Sequence, residues 1–81
     1  MQRLVTDGKR VDWSPDVPIW FETYLHGHVI VVWDPLFQLQ VSVEGGGKKP
    51  RKIRRDLRIA CSQLEHYRRF IMNGGKRRKL H

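Results

Sequence analysis

Apolar and polar residues alternate without a break along Phe37-Gln38-Leu39-Gln40-Val41-Ser42-Val43-Glu44. A period of two predicts a half-buried strand with Phe37, Leu39, Val41 and Val43 facing inward. Just upstream, Val29-Ile30-Val31-Val32-Trp33 is apolar at every position and rich in β-branched residues. Such a run predicts a central strand covered on both faces. Asp34-Pro35 connects the two as a turn, with proline pre-setting one backbone angle.

Near the start, Asp7-Gly8 separates two short alternating runs. Both residues tolerate positive φ, as a type I′ hairpin turn requires. The implied register sets Thr6 opposite Lys9, Leu4 opposite Val11 and Gln2 opposite Trp13. Leu4, Val11 and Trp13 then share a face, and Arg3 meets Asp12 on the other as a favourable cross-strand pair. Ile19–Leu25 admits two readings. Pro18 suits the first position of a short helix. The Trp, Phe, Thr and Tyr content favours a strand instead, with His26-Gly27 closing a turn onto the next one.

The period changes after Gly45-Gly46-Gly47. Ile53, Leu57, Ala60, Leu64, Tyr67 and Ile71 recur at spacings of three and four, a continuous helical stripe. Pro50 disfavours helix in the residue before it, so the helix is expected from about Arg51. Asn73-Gly74-Gly75 supplies a left-handed stop. The stripe is expected to pack on the apolar face of the sheet. Its alternative, a coiled-coil seam between two chains, has only three heptads to work with.

The elements predict an α+β chain. It begins with an antiparallel meander of four or five strands, open or curled into a small partly open barrel. A hinge, one long C-terminal helix and a basic tail follow. The expected organisation is one small domain over residues 1–75: β-rich at 1–44, a Gly/Lys/Pro hinge at 45–50 and a basic amphipathic helix at 51–73, with the tail at 76–81.

Composition narrows the class. At 81 residues with 40% hydrophobic content, the chain supports one small, marginally stabilised core. Its longest apolar run, Val29–Trp33, is far shorter than the roughly 20 residues of a membrane span. A single cysteine, Cys61, excludes an internal disulfide. With no apolar leader after Met1, this suggests an intracellular protein, cytoplasmic, or nuclear in a eukaryotic or viral setting.

Charge changes the picture most. Residues 1–44 carry three basic and six acidic side chains, a net of −3, whereas residues 45–81 carry thirteen basic and two acidic ones, a net of +11. A field of one sign concentrated in so short a segment attracts polyanions. Lys48, Lys49, Arg51, Lys52, Arg54, Arg55 and Arg58 crowd the hinge and the first two helical turns, offset only by Asp56. Cations are disfavoured at the positive end of the helix dipole. A cluster that opposes local electrostatics suggests a task beyond folding. Free backbone N–H groups beside guanidinium groups suit a phosphate. Arg68, Arg69 and the tail residues Lys76, Arg77, Arg78 and Lys79 extend the basic set. Cations at a helix C-terminus are favoured anyway, so these six carry less functional weight.

Other chemistry is weaker. His26, His28, Cys61 and His66 are four donors of zinc-ligating type, but residues five apart on a helix diverge by about 500° of rotation, which argues against a shared metal. Glu22, His26 and His28 lie close in sequence, as in a small basic ribonuclease, without any diagnostic catalytic spacing. No cofactor motif is present. Eight aromatics exceed what so small a core holds centrally, so some, such as Trp20 or Tyr24, are expected at the surface, where they stack on bases or anchor a protein.

The reading is a small non-catalytic nucleic-acid-binding protein, monomer or homodimer, without metal or cofactor. DNA and RNA, single strand and duplex, stay open at this level. The alternative is a protein-interaction module, a regulator or inhibitor, that docks its basic helix on an acidic face of a larger protein. A small ribonuclease stands third.

Overall fold

The computed structural model describes residues 8–74. The first arm of the Asp7-Gly8 hairpin and the tail residues Lys76, Arg77, Arg78 and Lys79 lie outside that range. The described residues form an α+β fold with four antiparallel strands, β1 (Lys9–Val11), β2 (Glu22–His26), β3 (Val29–Asp34) and β4 (Leu39–Glu44), and one helix, α1 (Pro50–Met72). The sheet order follows the sequence, β1-β2-β3-β4. The meander is thus an open sheet and not a barrel.

The strand expected over Ile19–Leu25 forms only from Glu22: Ile19-Trp20-Phe21 make a turn before it, the Phe21 N–H donating to the Pro18 carbonyl at 3.0 Å. The β2–β3 loop also differs by one residue from the expected one. His26 pairs with Val29, so the two loop residues are Gly27 and His28. Gly27 has φ +59°, and glycine at the first loop position is what a type II′ hairpin uses. The alternating run after β3 also begins later than its pattern implies. Asp34 pairs with Leu39, which places Phe37 and Gln38 in a four-residue turn, Gln38 with φ +55°. The Asp34 carboxylate holds that turn by accepting the Leu36 N–H at 3.0 Å and the Phe37 N–H at 3.4 Å.

Strand pairing puts Thr23, Ile30, Val32, Asp34, Leu39, Val41 and Val43 on one face, and α1 covers it. Leu57 and Leu64 are almost fully buried, together with Ile53, Ala60 and Cys61. They share a core with Ile30, Val32 and Val43, against which Leu39 and Val41 also pack. Burying such side chains stabilises by about 1.5–3 kcal/mol each. The helical stripe therefore packs within the chain and is not a seam awaiting a second one. Thr23 is buried at no polar cost, since its hydroxyl donates to the Val11 carbonyl at 2.6 Å. On the opposite face Val31 is 5% exposed, but Val29 and Trp33 beside it are only part-buried and no described element covers that face, so the expected burial on both sides holds at Val31 alone. The connection over residues 12–21 contributes Val17 and Phe21 to the core.

One position of the stripe is corrected. Tyr67 is half-exposed, and Arg68 lies over the sheet in its place. Spacing alone allowed either: Tyr67 is three residues after Leu64 and Arg68 is four.

Candidate nucleic-acid interface

α1 opens without the usual devices. Its N-cap, Lys49, makes no side-chain cap bond; Pro50 occupies the first turn, and no acidic residue lies in that turn. Proline is suited to the position because it has no N–H to leave unpaired. The dipole's positive end and the cations thus reinforce one another, and an anion is favoured at this end. An open basic groove of about 800 Å³ lies here, lined by Lys49, Arg51, Lys52, Arg54, Arg55 and Arg58 beside Pro50.

The basic residues fall into two groups. Some are held by acids within the fold. Arg54 and Arg58 both reach Asp16, at 3.5 Å and 3.1 Å. Asp16 belongs to the connection before β2, so the two arginines tie that loop to the helix. Lys48 pairs with Asp56 at 3.3 Å. The two arginines are more than half exposed, but Asp16 is only 10% exposed, so it is the helix cations that reach solvent and the acid that is held inside. Lys49, Arg51, Lys52, Arg55 and Arg69 are exposed and have no ion-pair partner among the described residues.

Arg68 is a different case. Its Nε donates to Asp34 Oδ2 at 2.8 Å and its Nη2 to Asp34 Oδ1 at 3.1 Å. Asp34 is fully buried, and the guanidinium lies over the rings of Phe21 and Phe37, at 5.3 Å and 5.8 Å. Burial works to raise the Asp34 pKa. The Arg68 hydrogen bonds and the Leu36 and Phe37 N–H groups outweigh it, so the carboxyl is held below its ordinary value. Arg68, expected among the phosphate-binding residues, is thus part of the core. Nothing in composition pointed to this pair, yet its signal is in the pattern: Asp34 continues the inward phase of Ile30 and Val32, and Arg68 continues that of Leu57 and Leu64.

The sheet face away from α1 is of mixed charge. Tyr24 donates its hydroxyl to Glu22 at 2.8 Å, which raises its pKa, with burial and the Glu22 charge adding to the effect. Arg10 lies 4.0 Å from Glu22 and over the Tyr24 ring. Glu22 and His26 stand at opposite ends of β2, roughly 13 Å apart along the strand, and His28 is in the turn beyond. The three do not meet as a catalytic group. Cys61 is buried in the core, and burial pushes its thiol up to about 11, assisted by Glu65 and Asp16. His66 is on the outer side of α1 against Tyr67, ring centres 6.1 Å apart. Among the described residues, no three His, Cys, Asp or Glu side chains are grouped as metal ligands, and no helix is long and apolar enough to cross a membrane.

Comparison with protein-family models, curated proteins and solved structures finds no match to this chain.

Proposed function

We propose that this chain is a small non-catalytic nucleic-acid-binding protein that holds phosphates at the start of α1. The supporting observation is the groove in which Lys49, Arg51, Lys52 and Arg55, exposed and without acidic partners among the described residues, surround an uncapped helix N-terminus. Helix dipole, backbone and side chains all favour an anion there. Arg54 and Arg58 line the same groove and add to its positive field while staying paired with the one carboxylate of Asp16. Arg69 extends the charge toward the other end of the helix. Arg68 is not part of this surface, because Asp34 engages its Nε and Nη2 donors. The tail cations at 76–79 contribute sequence-independent attraction.

The test is binding to DNA and RNA oligonucleotides across a salt series. Phosphate-held binding falls steeply, log K declining linearly with log salt, with a slope near −0.9 for each phosphate neutralised on duplex DNA. No binding even at low salt would contradict the proposal.

A second reading, a protein-docking module, has its own observation. Ile19 is 89% exposed and Leu36 67%, and Trp20 is half-exposed with its ring 6.4 Å from that of Phe21. Leu36 belongs to the turn held by Asp34, and Trp20 adjoins Phe21, over which Arg68 lies. Exposed aromatic and aliphatic side chains on a rigid support are what a protein partner covers. Binding to a protein without any affinity for nucleic acid would favour this second reading.

A further inference from the structure

We propose that the outward face of α1 is a reading surface for duplex DNA, entering the major groove. The inference rests on the nucleic-acid reading above and narrows it to one ligand class.

The helix runs for 23 residues, roughly 34 Å at 1.5 Å per residue. Its inner side is buried from Ile53 to Leu64, by Ile53, Leu57, Ala60, Cys61 and Leu64. At about 100° per residue, the opposite side has a crest made by Arg55, Ile59, Ser62 and His66, spaced four, three and four. Arg51, Arg58 and Arg69 form one shoulder; Lys52, Gln63 and Phe70 form the other. All ten are exposed, and none is acidic. The two acids of the helix border this face and are not on its crest: Asp56, held by Lys48, shares a groove with Ile59 and Gln63, and Glu65 lies beside the arginine shoulder, about 20° around the helix from Arg58. The basic groove at the helix start and a second groove of about 600 Å³ along Ile59, Ser62 and His66 share Arg55 and Arg58. The cationic surface is therefore continuous with the crest.

The chemistry along this rod matches a major groove in kind. Arginine reads guanine, glutamine reads adenine, serine accepts either role, and an aliphatic side chain contacts the thymine methyl. The arginine shoulder is placed for phosphates on one strand and Lys52 for the other. Shape selects the duplex type. A helix about 10–12 Å across fits the roughly 12 Å major groove of B-form DNA, whereas the major groove of A-form RNA is too deep and narrow to admit one. The rival surface for unpaired bases, the open sheet face, carries Glu22 and Glu44 and engages its Tyr24 hydroxyl internally, which disfavours a phosphate backbone.

The experiment is fluorescence anisotropy on the full chain at one fixed salt concentration. The probes are a short mixed-sequence DNA duplex, the same sequence as duplex RNA, each single strand, and the DNA duplex with glucosylated hydroxymethylcytosines filling its major groove. Plain duplex DNA should bind tightest, and glucosylation should weaken binding by about tenfold or more, the loss expected for one good base contact. Ser62→Glu should weaken binding to plain duplex at least as much, while Gln40→Glu, the same charge change on the open face of the sheet, should have a much smaller effect. Circular dichroism checks that both variants fold. Equal affinity for duplex RNA or single strands, indifference to glucosylation, or equal losses from the two Glu variants would overturn the groove inference while leaving phosphate binding intact. Failure to bind any nucleic acid would overturn both.

Discussion

The Arg68 guanidinium meets the fully buried Asp34 carboxylate in a two-point hydrogen bond, at 2.8 Å and 3.1 Å. This pair joins the C-terminal half of α1 to the β3–β4 turn, because the same carboxylate also accepts the Leu36 and Phe37 N–H groups. A cation from the chain's most basic region is thereby assigned to folding.

Arg68→Ala leaves that carboxylate buried without its counter-ion. Removing one partner of a buried pair costs about 3–5 kcal/mol, a large part of a small domain's stability. Urea denaturation should show it as a lowered midpoint. Arg68→Lys should recover only part of the loss, since an ammonium group does not reproduce the planar two-point contact. A variant as stable as the parent would show that the pair is incidental.

Acid should destabilise the fold through Asp34. Its folded pKa is depressed, so the unfolded chain binds the proton at higher pH than the folded one. The contribution is fully present above the ordinary aspartate value of about 3.9, and is lost as pH falls below that value and through the folded pKa. Thermal melts from neutral pH to about pH 2 should show this decline. Asp34→Asn should be less stable at neutral pH and lose less stability over the acid range than the parent. Parallel pH profiles for the two proteins would contradict the assignment.

Cys61 should be inert in the folded protein. It is buried, and its thiol is pushed up to about 11, so little thiolate exists at neutral pH. Unfolding returns it to about 8.5 and exposes it. Alkylation should therefore track the unfolding transition across a urea series. Rapid labelling without denaturant would place the thiol outside the core.

Leu64→Ala removes a side chain that is 1% exposed between α1 and the sheet. A buried leucine truncated to alanine costs about 2–5 kcal/mol. Calorimetry should show a large drop in Tm or loss of the cooperative transition. A mutant with the parent's Tm would argue against the packing of α1 on β3 and β4.

Much of this fold is legible in the sequence because period and burial coincide. The alternation at Leu39, Val41 and Val43 marks β4, and the three-four spacing from Ile53 to Leu64 marks α1. The pattern misleads where a polar residue takes an apolar slot. Phe37 keeps the alternating phase but belongs to a turn, because Asp34 captures the backbone N–H groups that follow it. Tyr67 keeps the helical spacing, yet Arg68 takes the inner position because Asp34 needs a cation there. The basic cluster at the helix start was visible as composition. The division between Arg54 and Arg58, held by Asp16, and Lys49, Arg51, Lys52 and Arg55, without acidic partners among the described residues, depends on how the connection before β2 folds back, and periodicity carries no trace of that.

The most direct test of phosphate binding at the helix start compares the full chain with its Arg51→Gln, Lys52→Gln, Arg55→Gln triple variant in duplex DNA binding across a salt series. The three side chains are exposed and lie away from the core, so the variant should keep the parent's circular dichroism and Tm. The account predicts markedly weaker binding and a salt dependence shallower by about one unit of slope for each phosphate contact removed. A folded triple variant with the parent's affinity and the parent's salt slope would contradict it.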